Sequence, residues 1–253
     1  MQDNGFFDAE VARTYDRDHG GTDPAVIAQT AYVLAGLAGG GPVLEFAIGT
    51  GRIALPLMAR GVVVKGIDVS RPMVAELRKK PGGKRVEVVV GDMTTTRMPG
   101  AFSLVYLVFN TIDNLIAQAA QVACFRNAAA HLAPGGRFVI ETLLPRIQRL
   151  PHGEVAHAIA WSPGHWGTDV FDPVTQTYTS HHIRIRDGAV TRLSIPFRYV
   201  WPAELDLMAQ LAGLVPEHRW QDWQRTTLTR HSDGHVSVWR KPLAQGDHTA
   251  LLP

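Results

Sequence analysis

Gly49-Thr50-Gly51-Arg52-Ile53-Ala54 satisfies the pattern G-x-G-x-x-A, set between an apolar run and a helical one. Glycines at such a turn adopt backbone conformations closed to other residues and let a ligand approach the main chain. The pattern is one form of the dinucleotide fingerprint. An acid able to accept both hydroxyls of a ribose is also present, because Asp68 ends the apolar run "VVVKGIDVS", 17 residues after Gly51. Loop and acid predict a ribose-bearing cofactor. Alone, they do not separate the pyrophosphate of a nicotinamide dinucleotide from the amino-acid end of an adenosyl sulfonium.

Further polar positions bear on that choice. Glu45 ends the first apolar run just before the loop. Beside a pyrophosphate its charge is repulsive, and beside a cationic sulfonium amino acid it is favourable. In "GDM", Gly91 to Met93, the Asp92 carboxylate can accept from an adenine amine while Met93 packs on the ring. In "VFNTIDNL", Asn110 falls where a strand opens onto the carboxyl edge of a sheet, the usual ligand position in open α/β folds. Together these favour S-adenosylmethionine over a dinucleotide.

The elements that position these residues alternate along the first 145 residues. Apolar runs at 42–46, 62–67, 86–90, 102–109 and 137–140 alternate with helical stretches at 53–60, 72–80 and 116–132. "HLAPGGRFVIET" adds a tight Pro-Gly-Gly turn before the fifth run. The pattern predicts a doubly wound, mostly parallel, Rossmann-like α/β sheet, which the closing runs "VPEHRWQDW" and "HVSVWRKP" bring to seven strands. Near Leu150 the pattern changes. Asp187-Gly188 is a hairpin turn between two alternating arms. Thr179, His181, Ile183 and Ile185 share one face of the first arm, the face expected to point inward, with His182 outward unless a bulge exchanges them. Leu193, Ile195, Phe197, Tyr199 and Trp201 share the apolar face of the second. The organisation expected is 1–150 for N-terminal helices and the cofactor-binding part, 151–201 for an antiparallel β lid, 202–242 for a terminal helix and strand pair, and 243–253 for a tail.

From Val43 to Thr142 the order and spacing of these motifs resemble class I S-adenosylmethionine-dependent methyltransferases. Glu45 to Gly51 is similar to that family's first motif and departs from it at Ala47, where glycine is usual. The Ala47 carbonyl remains able to meet the cofactor's ammonium, although its methyl narrows the approach. The resemblance implies cofactor contacts at Glu45, Ala47, Gly49, Thr50, Gly51, Arg52, Asp68, Val69, Asp92, Met93, Phe109 and Asn110. The β lid resembles small-molecule enzymes of the family, including those acting on sugar amines and glycine. "EVARTYD" is similar to an N-terminal helix of that group, which places Tyr15 at the cofactor or substrate. The implied activity is methyl transfer to an N or O atom of a small metabolite by in-line displacement.

Catalytic candidates are few. Tyr15 either reaches the cleft or caps the core. His181 is the candidate proton acceptor or substrate contact, against a structural role beside Ile183 and Ile185. Asp113 and Asn114 line the pocket or cap the next helix, capping being the expectation. "RWQDWQR", Arg219 to Arg225, supplies pocket walls or a core strand.

Composition limits the remainder. With 45% hydrophobic and 19% charged residues, 253 residues make a sizeable core. A formal net charge of +2, with one basic run "RKKPGGKR" broken by Pro-Gly-Gly, argues against a nucleic-acid partner. The single cysteine, Cys124, falls on an apolar helix face, and no His, Asp and Glu set suggests a metal. Neither a signal peptide nor an 18-residue apolar stretch is visible, so a cytoplasmic protein with no membrane partner is expected, monomer or homodimer. Two other readings stay open: an NAD(P)-dependent oxidoreductase, and a cofactor-binding relative without transfer activity.

Overall fold

A computed structural model describes residues 7–18 and 23–243. In chain order the first half runs α1 (Ala9–Asp18), α2 (Pro24–Ala38), β1 (Val43–Phe46), α3 (Ala54–Ala59), β2 (Val64–Asp68), α4 (Arg71–Lys79), β3 (Glu87–Val90), β4 (Phe102–Leu107), α5 (Gln118–His131) and β5 (Leu132–Leu143). Four strands follow, β6 (Ala156–Ser162), β7 (His165–Asp172), β8 (Thr177–Arg186) and β9 (Ala189–Arg198). The chain then forms α6 (Pro202–Leu211), β10 (Val215–Trp220) and β11 (Gly234–Arg240).

Seven strands form one sheet in the order β10-β11-β5-β4-β1-β2-β3. β1 to β5 are parallel, and β11 runs antiparallel to both β5 and β10. Helices cover both faces, which is why the central strands read as unbroken apolar runs. One core half packs Phe46, Phe125, Phe138, Leu205 and Trp239, with Phe125 meeting Phe138 and Trp239 edge to face at 5.0 and 5.2 Å. The other packs Leu34, Ile53, Leu57, Leu77 and Tyr106. Each such large side chain, fully buried, contributes roughly 1.5–3 kcal/mol.

Local chemistry sets the helix ends. Asp8 caps α1 by accepting from the N–H groups of Glu10 and Val11, and Asp23 caps α2 through Ala25 N–H. Ser70 caps α4 through Met73 N–H, and Gly39 ends α2 in the left-handed region at φ 58°. Gly66 in β2 has a different task. A Cβ there would lie 2.5 Å from Ile48 Cδ1, so only glycine lets the segment after β1 fold back across the sheet.

Three elements differ from expectation. β5 is longer, because Ala133 to Gly136 bulge between the pairs Phe102–Leu132 and Leu104–Arg137 instead of standing outside the strand as a turn. α5 is capped at Ala117, so neither Asp113 nor Asn114 caps it. The second sheet has four strands, in order β6-β7-β8-β9, where only the β8–β9 hairpin was expected. β6 and the first half of β7 carry small and polar residues without clean alternation, so they gave no period to detect. Among the described residues no helix is long and apolar enough to cross a membrane. Of the expected tail, all but Leu243 lies outside the described residues.

Candidate functional site

The site is built at the carboxyl ends of β1, β2 and β4. After Phe46 the chain enters the left-handed region at Ala47 (φ 53°), Gly49 (φ 55°) and Gly51 (φ 75°). The bend aims Gly49 N–H at Asp68 Oδ2 over 2.6 Å, while Ser70 N–H reaches Asp68 Oδ1 at 2.7 Å. One carboxylate at the end of β2 thus ties the glycine loop to the start of α4. Gly51 packs so closely on α4 that a Cβ would lie 2.3 Å from Leu77 Cδ1.

Glu45 is buried, 4% exposed, and accepts from Tyr106 Oη at 2.6 Å. Burial pushes its carboxyl up to about 8, against the Tyr106 hydrogen bond and the nearby Arg52 charge. A cation bound beside an acid held this way would favour its ionised form.

The opposite wall follows β4. Phe109 and Asn110 are consecutive left-handed residues, both at φ 56°. Non-glycine residues pay for that conformation unless the surroundings impose it. Here Glu141 imposes it. Its Oε2 accepts Phe109 N–H at 3.1 Å, its carbonyl accepts Asn110 N–H at 3.2 Å, and its Oε1 accepts Trp223 Nε1–H at 2.8 Å. The Asn110 side chain turns away from the cleft and accepts from Leu143 N–H at 2.8 Å. Phe109, Thr111 and Asn114 line the cleft where Asn110 was expected.

Helix α1 closes the third side. Tyr15 and Phe7 line the cleft, their rings edge to face at 6.0 Å. The Arg52 guanidinium lies 3.7 Å from the Phe109 ring centre and 5.6 Å from that of Tyr15. A polar latch holds the helix down. Thr50 Oγ1 donates to Asp16 Oδ1 at 2.6 Å, Lys80 Nζ pairs with Asp16 Oδ2 at 2.5 Å, and Lys80 also donates to the Thr50 carbonyl at 2.8 Å.

The walls enclose about 690 Å³, partly open to solvent. Of the expected cofactor contacts, Glu45, Ala47, Gly49, Thr50, Arg52, Asp68, Val69 and Phe109 meet there. An adjoining hollow of about 200 Å³ shares Ala47, Asp68 and Val69 and adds Gly91 and Met93. Asp92 lies between those two, its Oδ1 accepting from Thr94 N–H and Oγ1, both at 2.8 Å. Gly51 supports the loop through Leu77 and is not on the lining.

His181 is corrected. It is exposed on the outer face of the four-stranded sheet, where Nδ1 bonds Ser194 Oγ at 2.8 Å. No bulge interrupts β8–β9, and Ser180 stands opposite Ile195, His182 opposite Leu193. Pairing with the apolar face of β9 therefore turns Tyr178, Ser180 and His182 of β8 inward, and leaves Ile183 and Ile185 39% and 40% exposed. The expected face was inverted because each arm was assigned by itself.

Five contributors had no signal in the sequence: Asp16, Lys80, Phe7, Glu141 and, as a clamp instead of a wall, Trp223. Each acts across a long sequence separation, from 30 residues for Lys80–Thr50 to 82 for Trp223–Glu141.

A family model described as a methyltransferase domain matches residues 43–136. The cypemycin N-terminal methyltransferase of a Streptomyces species is 31% identical over 182 residues, 69% of this chain and 73% of that protein. Among solved structures, the CcbJ methyltransferase from Streptomyces caelestis is 36% identical with a TM-score of 0.82, over 92% of this chain and 96% of that one. The S-adenosylmethionine-bound CalS10, an amino pentose methyltransferase from Micromonospora echinaspora, shares the fold at 20% identity and a TM-score of 0.66, over 95% of this chain and 100% of that one.

Proposed function

Since the chain belongs to the S-adenosylmethionine-dependent methyltransferases, we propose that it transfers a methyl group to a nitrogen atom of a small-molecule acceptor by in-line displacement. When bound, the cofactor supplies a methyl carbon already activated by sulfonium. What remains for the protein is to align the acceptor and exclude water.

The observation that carries the reading is the buried Glu45 carboxyl facing a cleft that offers it no fixed cation beyond Arg52. In this reading Glu45 and the Ala47 carbonyl hold the ammonium of the methionine end, and Arg52 faces its carboxylate. Gly49, Thr50 and Gly51 bring the main chain close, Asp68 and Val69 border the ribose, and Asp92 and Met93 flank the adenine. Phe109 and Tyr15 shut out water on the methyl side. Burial raises the Tyr15 hydroxyl above its ordinary value of 10.0, so it serves as a hydrogen-bonding wall and not as a base. Segment 151–201 covers the acceptor.

A dinucleotide fits these residues poorly, because Glu45 would stand against a pyrophosphate. Nitrogen as the target is supported by the cypemycin relative, whose name specifies an N-terminal position. Calorimetry should show micromolar binding of S-adenosylhomocysteine, weakened by roughly a hundredfold or more in Asp68→Ala, which loses the ribose contact and the tie to Gly49. Absence of any affinity in the native chain would refute the cofactor assignment. With labelled methyl donor, turnover of alcohols but not of matched amines would refute the nitrogen target.

A further inference from the structure

A second hollow, partly open to solvent, lies between the four-stranded sheet and the end of β5. It measures about 290 Å³ and is walled by Asp113, Asp169, Phe171, Tyr178 and Tyr199, with Arg146 at its side. We propose that this cavity is a binding subsite for an alkylammonium group of the methyl acceptor. The assignment rests on the methyl-transfer reading for its purpose but not for its chemistry.

Asp169 is the decisive residue. It is only 7% exposed, and its Oδ1 has no hydrogen-bond partner, although the Ser180 hydroxyl facing it across β7–β8 bonds the carboxylate. A buried acceptor left unmatched in a folded interior is costly and calls for a missing donor. Asp113, 4% exposed, is under-satisfied too. Thr142 Oγ1 and Tyr178 Oη reach its two oxygens only at 3.3 Å, long for hydroxyl donors.

The remaining walls are the aliphatic Leu143, Leu144 and Pro145 and three aromatic side chains. The Phe171 and Tyr178 rings stack at 5.3 Å, and Tyr199 meets Phe171 edge on at 5.9 Å. Two under-satisfied carboxylates in a largely apolar hollow form a donor-hungry site suited to an N–H-bearing cation. Arg146 on the lining offsets part of that charge beside Asp169, and Arg198 does so for Asp113. Burial pushes Asp113 up to about 7 and Asp169 also upward, as expected of acids waiting for a cation.

The test uses cyclohexylammonium and its neutral isostere cyclohexanol, titrated by calorimetry with and without S-adenosylhomocysteine. The native protein should bind the ammonium at least about tenfold more tightly than the alcohol. Asp169→Asn, nearly isosteric, should abolish that preference, and Asp113→Asn should reduce it. Asp172→Asn, at an exposed acid ending the same strand, should leave it intact. Thermal midpoints close to native show that each variant is folded. Equal binding of the two probes, or a preference surviving both cavity substitutions, overturns the proposal. Loss of S-adenosylhomocysteine binding alone would count against the cofactor assignment and leave the ammonium preference standing.

Discussion

Ala47 holds a left-handed backbone with φ 53° at the mouth of the cofactor loop. A residue with a Cβ loses roughly 1–2 kcal/mol there, and glycine's extra freedom in the unfolded chain returns about 0.4–1 kcal/mol of that difference. Ala47→Gly should therefore stabilise the protein by up to about 1 kcal/mol, which for a chain of this size raises the thermal midpoint by roughly 1–4 °C. Differential scanning calorimetry measures this directly, and a lowered midpoint would show that the loop carries no strain at Ala47. The same residue illustrates what could be read beforehand. Glu45, Ala47, Asp68 and the glycines were legible because strand ends and a short loop keep them close in sequence. Asp169 was not, since its unmatched oxygen is a property of four packed strands and leaves no pattern in "HWGTDVFD". His181 was misplaced although the means to place it were present: a two-residue turn at Asp187-Gly188 pairs Arg186 with Ala189, and the apolar face of β9 then dictates that of β8.

Among the elements, α1 is the one whose position depends on few contacts. Among its described side chains only Ala12 is buried, at 3% exposure, and the helix is held mainly by Asp16 with Thr50 and Lys80 and by the Ser70 hydroxyl donating to the Phe7 carbonyl at 2.7 Å. The Asp16 and Lys80 side chains are 42% and 28% exposed, so their pairing is screened and contributes on the order of 1 kcal/mol or less. Asp16→Ala should consequently leave global unfolding almost unchanged while releasing α1 locally. Hydrogen exchange in residues 9–18 should quicken, and affinity for S-adenosylhomocysteine should fall about three- to tenfold as Tyr15 leaves the cleft. Unchanged exchange in α1 would mean that Tyr15 and Ala12 hold it without the latch. The helix itself was predictable from "EVARTYD"; its latch was not, because 34 residues separate Asp16 from Thr50.

For the molecule as a whole, three buried groups shape the response to pH. Glu45 moves from 4.5 to about 8 and Asp113 from 3.8 to about 7 on folding, each driven by burial. Both bind protons more tightly in the folded state, so the stability they allow is complete at low pH and is lost as pH rises toward 8. His235 works in the other direction. Burial lowers it from 6.5 to about 4, and the resulting stability is present above 6.5 and lost on acidification. The cofactor-free protein should accordingly be less stable at pH 8 than at pH 6. A bound ammonium beside Glu45 favours its ionised form, so the stabilisation by S-adenosylhomocysteine should grow over the same interval. Thermal midpoints with and without that ligand at pH 6 and 8 test both statements. A ligand-induced shift larger at pH 6 would exclude Glu45 as the partner of the ammonium. The mostly parallel sheet was legible as alternating strands and helices, whereas the four-stranded antiparallel sheet and the hollow beside it emerge only from assembled parts.

β11 follows every other strand in the sequence, yet it does not lie at an edge. It fits between β5 and β10, and the Trp223 that steadies Glu141, and through it the Phe109 turn, comes from the same late stretch. A chain emerging from the ribosome can thus assemble β1 to β5 and its glycine loop while one wall of the cleft still lacks its support. Cofactor binding therefore depends on a stretch far along the chain from the glycine loop it completes.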